Sequence, residues 1–61
     1  MARLVEFIDQ AGTPTAVNPA RVVRIIPANA RGQDQTRIQF SAMSFVVVIG
    51  EYAEVLKKLN G

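Results

Sequence analysis

Five apolar residues in a row, Phe45-Val46-Val47-Val48-Ile49, stand between Ser44 and Gly50. The run is too short to read as a helix, and its β-branched side chains suit a pleated strand. Successive side chains of a strand point to opposite faces, so this strand carries apolar groups on both. A half-exposed strand alternates apolar and polar residues instead. The chain must therefore cover two faces of one strand, and it has 61 residues in all.

A chain of that length forms one domain, 1–61, with little core to spare. It buries only about 60% of the surface its unfolded form exposes. Folds of this size gain stability from disulfides, a metal or oligomerisation. There is no cysteine or histidine, which removes disulfides and the ligands that zinc and copper favour. The five acids, Glu6, Asp9, Asp34, Glu51 and Glu54, are scattered, so no hard-cation site is expected. Oligomerisation is the stabiliser that remains. Composition, 49% hydrophobic and 20% charged, is that of a globular chain. No apolar run approaches the roughly 18 residues of a membrane helix, and the start lacks a signal-peptide core. The expectation is a cytoplasmic protein without a membrane partner.

Along the chain, "RLVEFI" reads as a strand at Arg3–Ile8, and "QAGTP" as a turn in which Gly12 supplies positive φ. Thr15–Val17 pairs back as a hairpin. Asn18-Pro19 breaks the pairing, because proline lacks an N–H and asparagine bonds its own backbone two residues on. Arg21–Ile26 is a third strand that stops at Pro27. Ala28–Gln35 is a polar loop longer than a usual hairpin. Thr36–Ser41 alternates cleanly, with Thr36, Ile38 and Phe40 on one face. The apolar run follows as the last strand. Tyr52, Val55, Leu56 and Leu59 then mark one face of a helix over about 51–60. Its glutamates lie first and its lysines last, as the helix dipole favours, and Asn60-Gly61 can cap it. The fold class is mainly β (α+β): a five-stranded antiparallel meander or small barrel-like sheet with one C-terminal helix.

Two other strands share the apolar excess. Val5 and Phe7 oppose Leu4 and Ile8; Val23 and Ile25 oppose Val22 and Ile26. One short helix covers one face. Closing into a barrel or docking a second subunit covers the other. Burying about four more large aliphatic side chains yields on the order of 6–12 kcal/mol, comparable to the whole net stability of a domain. A homo-oligomer is therefore expected, with Leu4, Val22, Ile26, Val46 and Val48 at its interface and an unidentified protein partner for the remaining surface.

Chemistry is sparse. Histidine- and cysteine-based nucleophiles are absent. Ser41 or Ser44 could meet Lys57 or Lys58, but lysines at an exposed helix end stay protonated. No glycine loop cradles a phosphate, so neither catalytic residues nor a cofactor are expected. Net charge is +2, and the β portion holds Arg3, Arg21, Arg24, Arg31 and Arg37. Of these, Arg21, Arg24, Arg31 and Arg37 form a candidate nucleic-acid surface, since guanidinium suits bidentate phosphate contact. Single-strand binders also expose aromatic rings for stacking. Here Phe7, Phe40, Phe45 and Tyr52 are all expected on core faces. The reading is a non-catalytic homo-oligomeric interaction or assembly module, with a small β RNA- or DNA-binding protein as the alternative.

"VNPARVVRIIP", "TRIQF" and "FVVVIGEYAEVLKKL", taken in order, resemble the small flagellar and swarming motility family called FlbD. The matching positions are Gly12, Val17-Asn18, Val22, Ile25, Thr36, Ile38, Phe40, Val46, Val48, Glu54 and Val55. The resemblance spans most of the chain and implies a β-meander followed by a helix. This sequence departs from the family's pattern at Ala42-Met43-Ser44, where an Asn-Gly turn is usual, and in a longer middle loop.

Overall fold

The computed structural model describes residues 3–61. Two antiparallel sheets and one helix make up the fold. The first sheet is a hairpin of β1 (Val5–Ile8) and β2 (Pro14–Val17), in register Val5 to Val17. Its turn is organised by Asp9. The Asp9 Oδ1 accepts from the N–H groups of Ala11 and Thr13, both at 2.9 Å. The Gly12 N–H returns to the Asp9 carbonyl at 2.9 Å. Gly12 has φ +85°, a conformation that costs an L-residue about 1–2 kcal/mol and glycine little.

Asn18 then ends the hairpin. Its Oδ1 accepts from the Ala20 N–H at 3.0 Å and caps a 3-10 turn over Pro19–Arg21. Arg21 was expected in a strand; proline at the first position of the turn and the asparagine cap win instead. The turn also resets the phase of the chain. Val22 and Ile25 both pack against the core, while Val23 is 66% exposed. The second sheet holds β3 (Arg24–Pro27), β4 (Gln35–Ser41) and β5 (Ser44–Ile49) in the order β3-β4-β5. A bridge between Asp9 and Val48, with the Gln10 N–H on the Val47 carbonyl at 3.1 Å, ties the hairpin to β5.

The polar stretch between β3 and β4 is more ordered than its composition suggests. Ala30 and Gln33 exchange two backbone hydrogen bonds, at 3.1 and 2.9 Å. Arg31 and Gly32 between them have φ +52° and +75°, the left-handed pair of a type I′ turn. Asn29 Oδ1 also accepts from the Gln35 N–H at 3.1 Å.

The core contains Phe7, Val17, Ile38, Val48, Val55 and Leu59, with the Thr36 side chain buried beside them. Alternation along β4 turns Thr36 and Ile38 inward, and the register opposes them to Val48 and Val46. The Thr36 hydroxyl donates to the Gly50 carbonyl at 3.0 Å, and the Gly50 N–H donates to the Asp34 carbonyl at 2.9 Å. Gly50 has φ +141° and lies against Val55. Held in this way, it sends the chain directly into α1 (Tyr52–Asn60), which packs on β3 and β4. Val55 and Leu59 are the buried helix residues. Tyr52 and Leu56, expected on the same face, remain 38% and 39% exposed.

Arg3 closes the helix end. Its guanidinium donates to the Lys58 and Leu59 carbonyls, each at 3.0 Å, and the Gly61 N–H donates to the Lys57 carbonyl at 2.8 Å. These carbonyls have no partner within the helix. Replacing Arg3 with alanine is expected to cost about 1–2 kcal/mol, read as a fall in the thermal midpoint. Replacing Arg31 with asparagine, which tolerates the left-handed region and completes an Asn-Gly turn, is expected to add roughly 0.5–1 kcal/mol. That raises Tm by about 2–8 °C in a domain this small, measurable by circular dichroism.

Candidate functional site

The helix covers the inner face of the three-stranded sheet, so the outer face is where the chain meets its surroundings. Strand register sets out its residues in rows. Arg24 on β3 opposes Gln39 on β4, which opposes Phe45 on β5. In the next row Ile26 opposes Arg37, which opposes Val47. Below it Gln35 opposes Ile49. Continuing the antiparallel register of the Asp9–Val48 bridge places Ile8 beside Ile49, and both line one groove. Glu6 and Leu4 continue along the outward side of the first strand, on the opposite side from Phe7.

The face is apolar and only partly shielded. Phe45 is 53% exposed and Ile8 42%, while Ile26, Val47 and Ile49 are half-buried. The cover that exists comes from the stems of polar side chains, which shed water along their length. The Arg37 guanidinium stacks over the Phe45 ring, 4.5 Å from its centroid. The Gln39 side-chain amide donates to the Ser41 carbonyl at 3.0 Å. Arg37 Nε and Gln39 Oε1 are sealed from solvent without a hydrogen-bond partner. An unsatisfied buried polar atom has already lost its water without compensation.

Charge is distributed unevenly across the face. Arg24 and Arg37 lie on β3 and β4, and Glu6 lies at the diagonally opposite corner. Beside Glu6 a groove of about 330 Å³ opens between β1, the end of β5 and the start of α1. Ile8, Ile49 and Val55 line it, with Glu6, Glu54 and Lys58 around them. The Lys58 Nζ donates to the Glu6 carbonyl at 2.7 Å and sits 4.6 Å from the Phe7 ring centroid. Among the described residues, no group of three acidic or metal-ligating side chains could hold a metal ion. None of the described helices is long and apolar enough to cross a membrane.

The residues singled out in the sequence separate into two groups. Of the four candidate arginines, Arg24 and Arg37 share the outer face. Arg21 is exposed on the 3-10 turn and Arg31 on the tip of the β3–β4 loop. Of the five candidate interface residues, Val48 is fully buried in the core, and Val22 and Val46 pack against that core. Val46 and Val48 face inward because they oppose the buried Ile38 and Thr36, and Val22 because the 3-10 turn before it resets the phase of the chain. Leu4 and Ile26 point outward. Phe45 corrects the expectation that all four aromatics lie on core faces. Sequence reasoning missed Phe45, Val47, Ile49, Ile8 and Glu6 as surface-forming residues. A strand apolar on both faces carries no mark of which face is inner; only its pairing with alternating β4 supplies one.

No family model matches the chain, and neither a curated protein nor a solved structure shows significant similarity to it.

Proposed function

We propose that the protein is a non-catalytic interaction module that works by self-assembly through the outer face of β3–β4–β5. The observation that carries this reading is Phe45, a large aromatic side chain more than half exposed. It stands beside half-buried Ile26, Val47 and Ile49 on a face with no helix over it. Contiguous exposed apolar surface on a small chain marks a contact site. Arginine stacked on an aromatic ring is a frequent energetic centre of such contacts.

A second reading, single-stranded nucleic acid, is favoured by one feature. Arg37 and the exposed Phe45 ring together offer a cation and a stacking surface, with Arg24 close by. Val47 and Ile49 beside them favour the first reading, because nucleic-acid surfaces are polar and strongly cationic.

Light scattering over a concentration series tests the proposal. The wild-type chain is expected to move from monomer to a defined multimer as concentration rises. Phe45→Asp is expected to stay monomeric with an unchanged circular dichroism spectrum, since the residue is outside the core. A wild-type chain that stays monomeric into the millimolar range contradicts the proposal. Binding of a mixed-sequence single-stranded oligonucleotide by such a monomer, weakened by salt and lost in Arg37→Gln, selects the second reading.

A further inference from the structure

The three-stranded sheet carries two cations and no anion. β3, β4 and β5 contain Arg24 and Arg37 but no aspartate or glutamate. Both arginines belong to the outer face. Arg24 opposes Gln39, and Arg37 opposes Ile26 one row along. They are diagonal neighbours on adjacent antiparallel strands, about 7–8 Å apart at the backbone, a separation that long side chains bridge. Glu6, the carboxylate on this face, lies at its far end, beyond Ile8 and Ile49. The Lys58 Nζ already stands beside it, 2.7 Å from the Glu6 carbonyl.

Phe45 determines where the Arg37 charge stands. Arg37 opposes Val47, while Phe45 opposes Gln39. To lie 4.5 Å from the Phe45 ring centroid, the Arg37 guanidinium leaves its own row and enters that of Arg24, Gln39 and Phe45. The two guanidinium groups therefore share one end of the face. Arg37 Nε is sealed there without a hydrogen-bond partner, a donor that has lost its water without compensation. Gln39, in the same row, commits its amide N–H to the Ser41 carbonyl at 3.0 Å and offsets neither charge. An oxyanion that draws the guanidinium outward supplies the missing acceptor and a counter-charge together.

We infer that Arg24 and Arg37 form an oxyanion site whose ligand is a phosphate monoester. A guanidinium presents paired N–H donors that match phosphate oxygens two at a time. Two forks and two positive charges suit a dianion with three terminal oxygens, which a monoester is above its second pKa of about 6. A carboxylate or a phosphodiester carries one charge and is satisfied by a single fork. The Phe45 ring holds one fork in position, which lowers the ordering cost of binding. The site needs only one chain. It stands apart from the self-assembly reading, and from the nucleic-acid reading, whose phosphates are diesters. At an exposed position two such contacts give a dissociation constant on the order of 1–10 mM.

Backbone amide shifts of isotope-labelled protein, titrated with glycerol phosphate at constant ionic strength, test the site. Saturable shifts at Arg24, Arg37 and Phe45 are expected at about pH 7. Binding is expected to be at least fivefold weaker at about pH 5, where the monoester carries one charge. Histidine, the side chain that ordinarily titrates between those values, is absent from the chain, so the change reports the ligand. Arg24→Gln and Arg37→Gln are each expected to weaken binding at least fivefold, and Arg21→Gln on the 3-10 turn to leave it within about twofold. Circular dichroism checks the fold. If a glutamine variant unfolds, Arg24→Lys and Arg37→Lys keep the charge, lose the fork and are expected to weaken binding at least twofold. Inorganic phosphate that binds as tightly as glycerol phosphate makes the ion itself a sufficient ligand. Inorganic phosphate that binds more weakly gives the organic part a contact of its own, and either result supports the site. Absence of saturation by both at about 50 mM overturns it. Equal binding of dimethyl phosphate, a diester, overturns it, as does an equal loss in Arg21→Gln, which marks diffuse attraction to a basic chain. Light scattering reads self-association separately, so the two proposals fail independently.

Discussion

The pairing of β4 with β5 is the contact on which the rest of the molecule depends. Thr36 and Ile38 on one strand oppose Val48 and Val46 on the other, and Thr36, Ile38 and Val48 are the largest fully buried side chains. Three consequences follow from that register. The helix has a face to pack on. The Thr36 hydroxyl reaches the Gly50 carbonyl and fixes where the helix starts. Phe45, Val47 and Ile49 are turned away from the core. A slip of one residue would exchange the two faces of the strand, place Phe45 inside and break the Thr36 hydrogen bond. The buried threonine acts as a register pin, because only one alignment satisfies its hydroxyl.

Much of the fold was legible in the sequence where a local rule had no competitor. The alternation of Thr36, Ile38 and Phe40 gave both strand and inner face. Helical spacing of Val55 and Leu59, with Gly61 behind them, gave the helix and its end. Asn18-Pro19 gave a turn, but the strand expected from Arg21 begins only at Arg24, because the turn takes in Arg21 and carries Val22 round to the core. The interface candidates were harder to read. Apolar residues on both faces of β5 satisfy either phase, so composition alone could not separate Val46 and Val48 from Val47 and Ile49. Arg3 shows the same limit. Nothing local distinguishes it from the other arginines, yet its role as a helix cap arises from a contact across the full length of the chain.

The small size of the domain connects these features to function. A chain this short has one helix to cover one sheet face, and it uses arginine and glutamine stems as a partial cover for the other. That cover leaves Phe45 53% and Ile8 42% exposed. It keeps the free chain compact while leaving an apolar surface whose further burial is favourable. Arg37 lies within that surface, its guanidinium 4.5 Å from the Phe45 ring centroid. Under the proposed self-assembly, burial of that surface adds to the stability of the chain.

Isotope-filtered NMR on a mixture of labelled and unlabelled chains tests the central claim most directly, because it reports only contacts between copies. The account predicts intermolecular cross-peaks that link the Phe45 ring and the Val47 methyls of one copy to outer-face methyls of another, those of Ile8, Ile26 and Ile49. Cross-peaks from the 66% exposed Val23 or the 94% exposed Met43 in their place would contradict it. So would an absence of intermolecular cross-peaks at millimolar concentration.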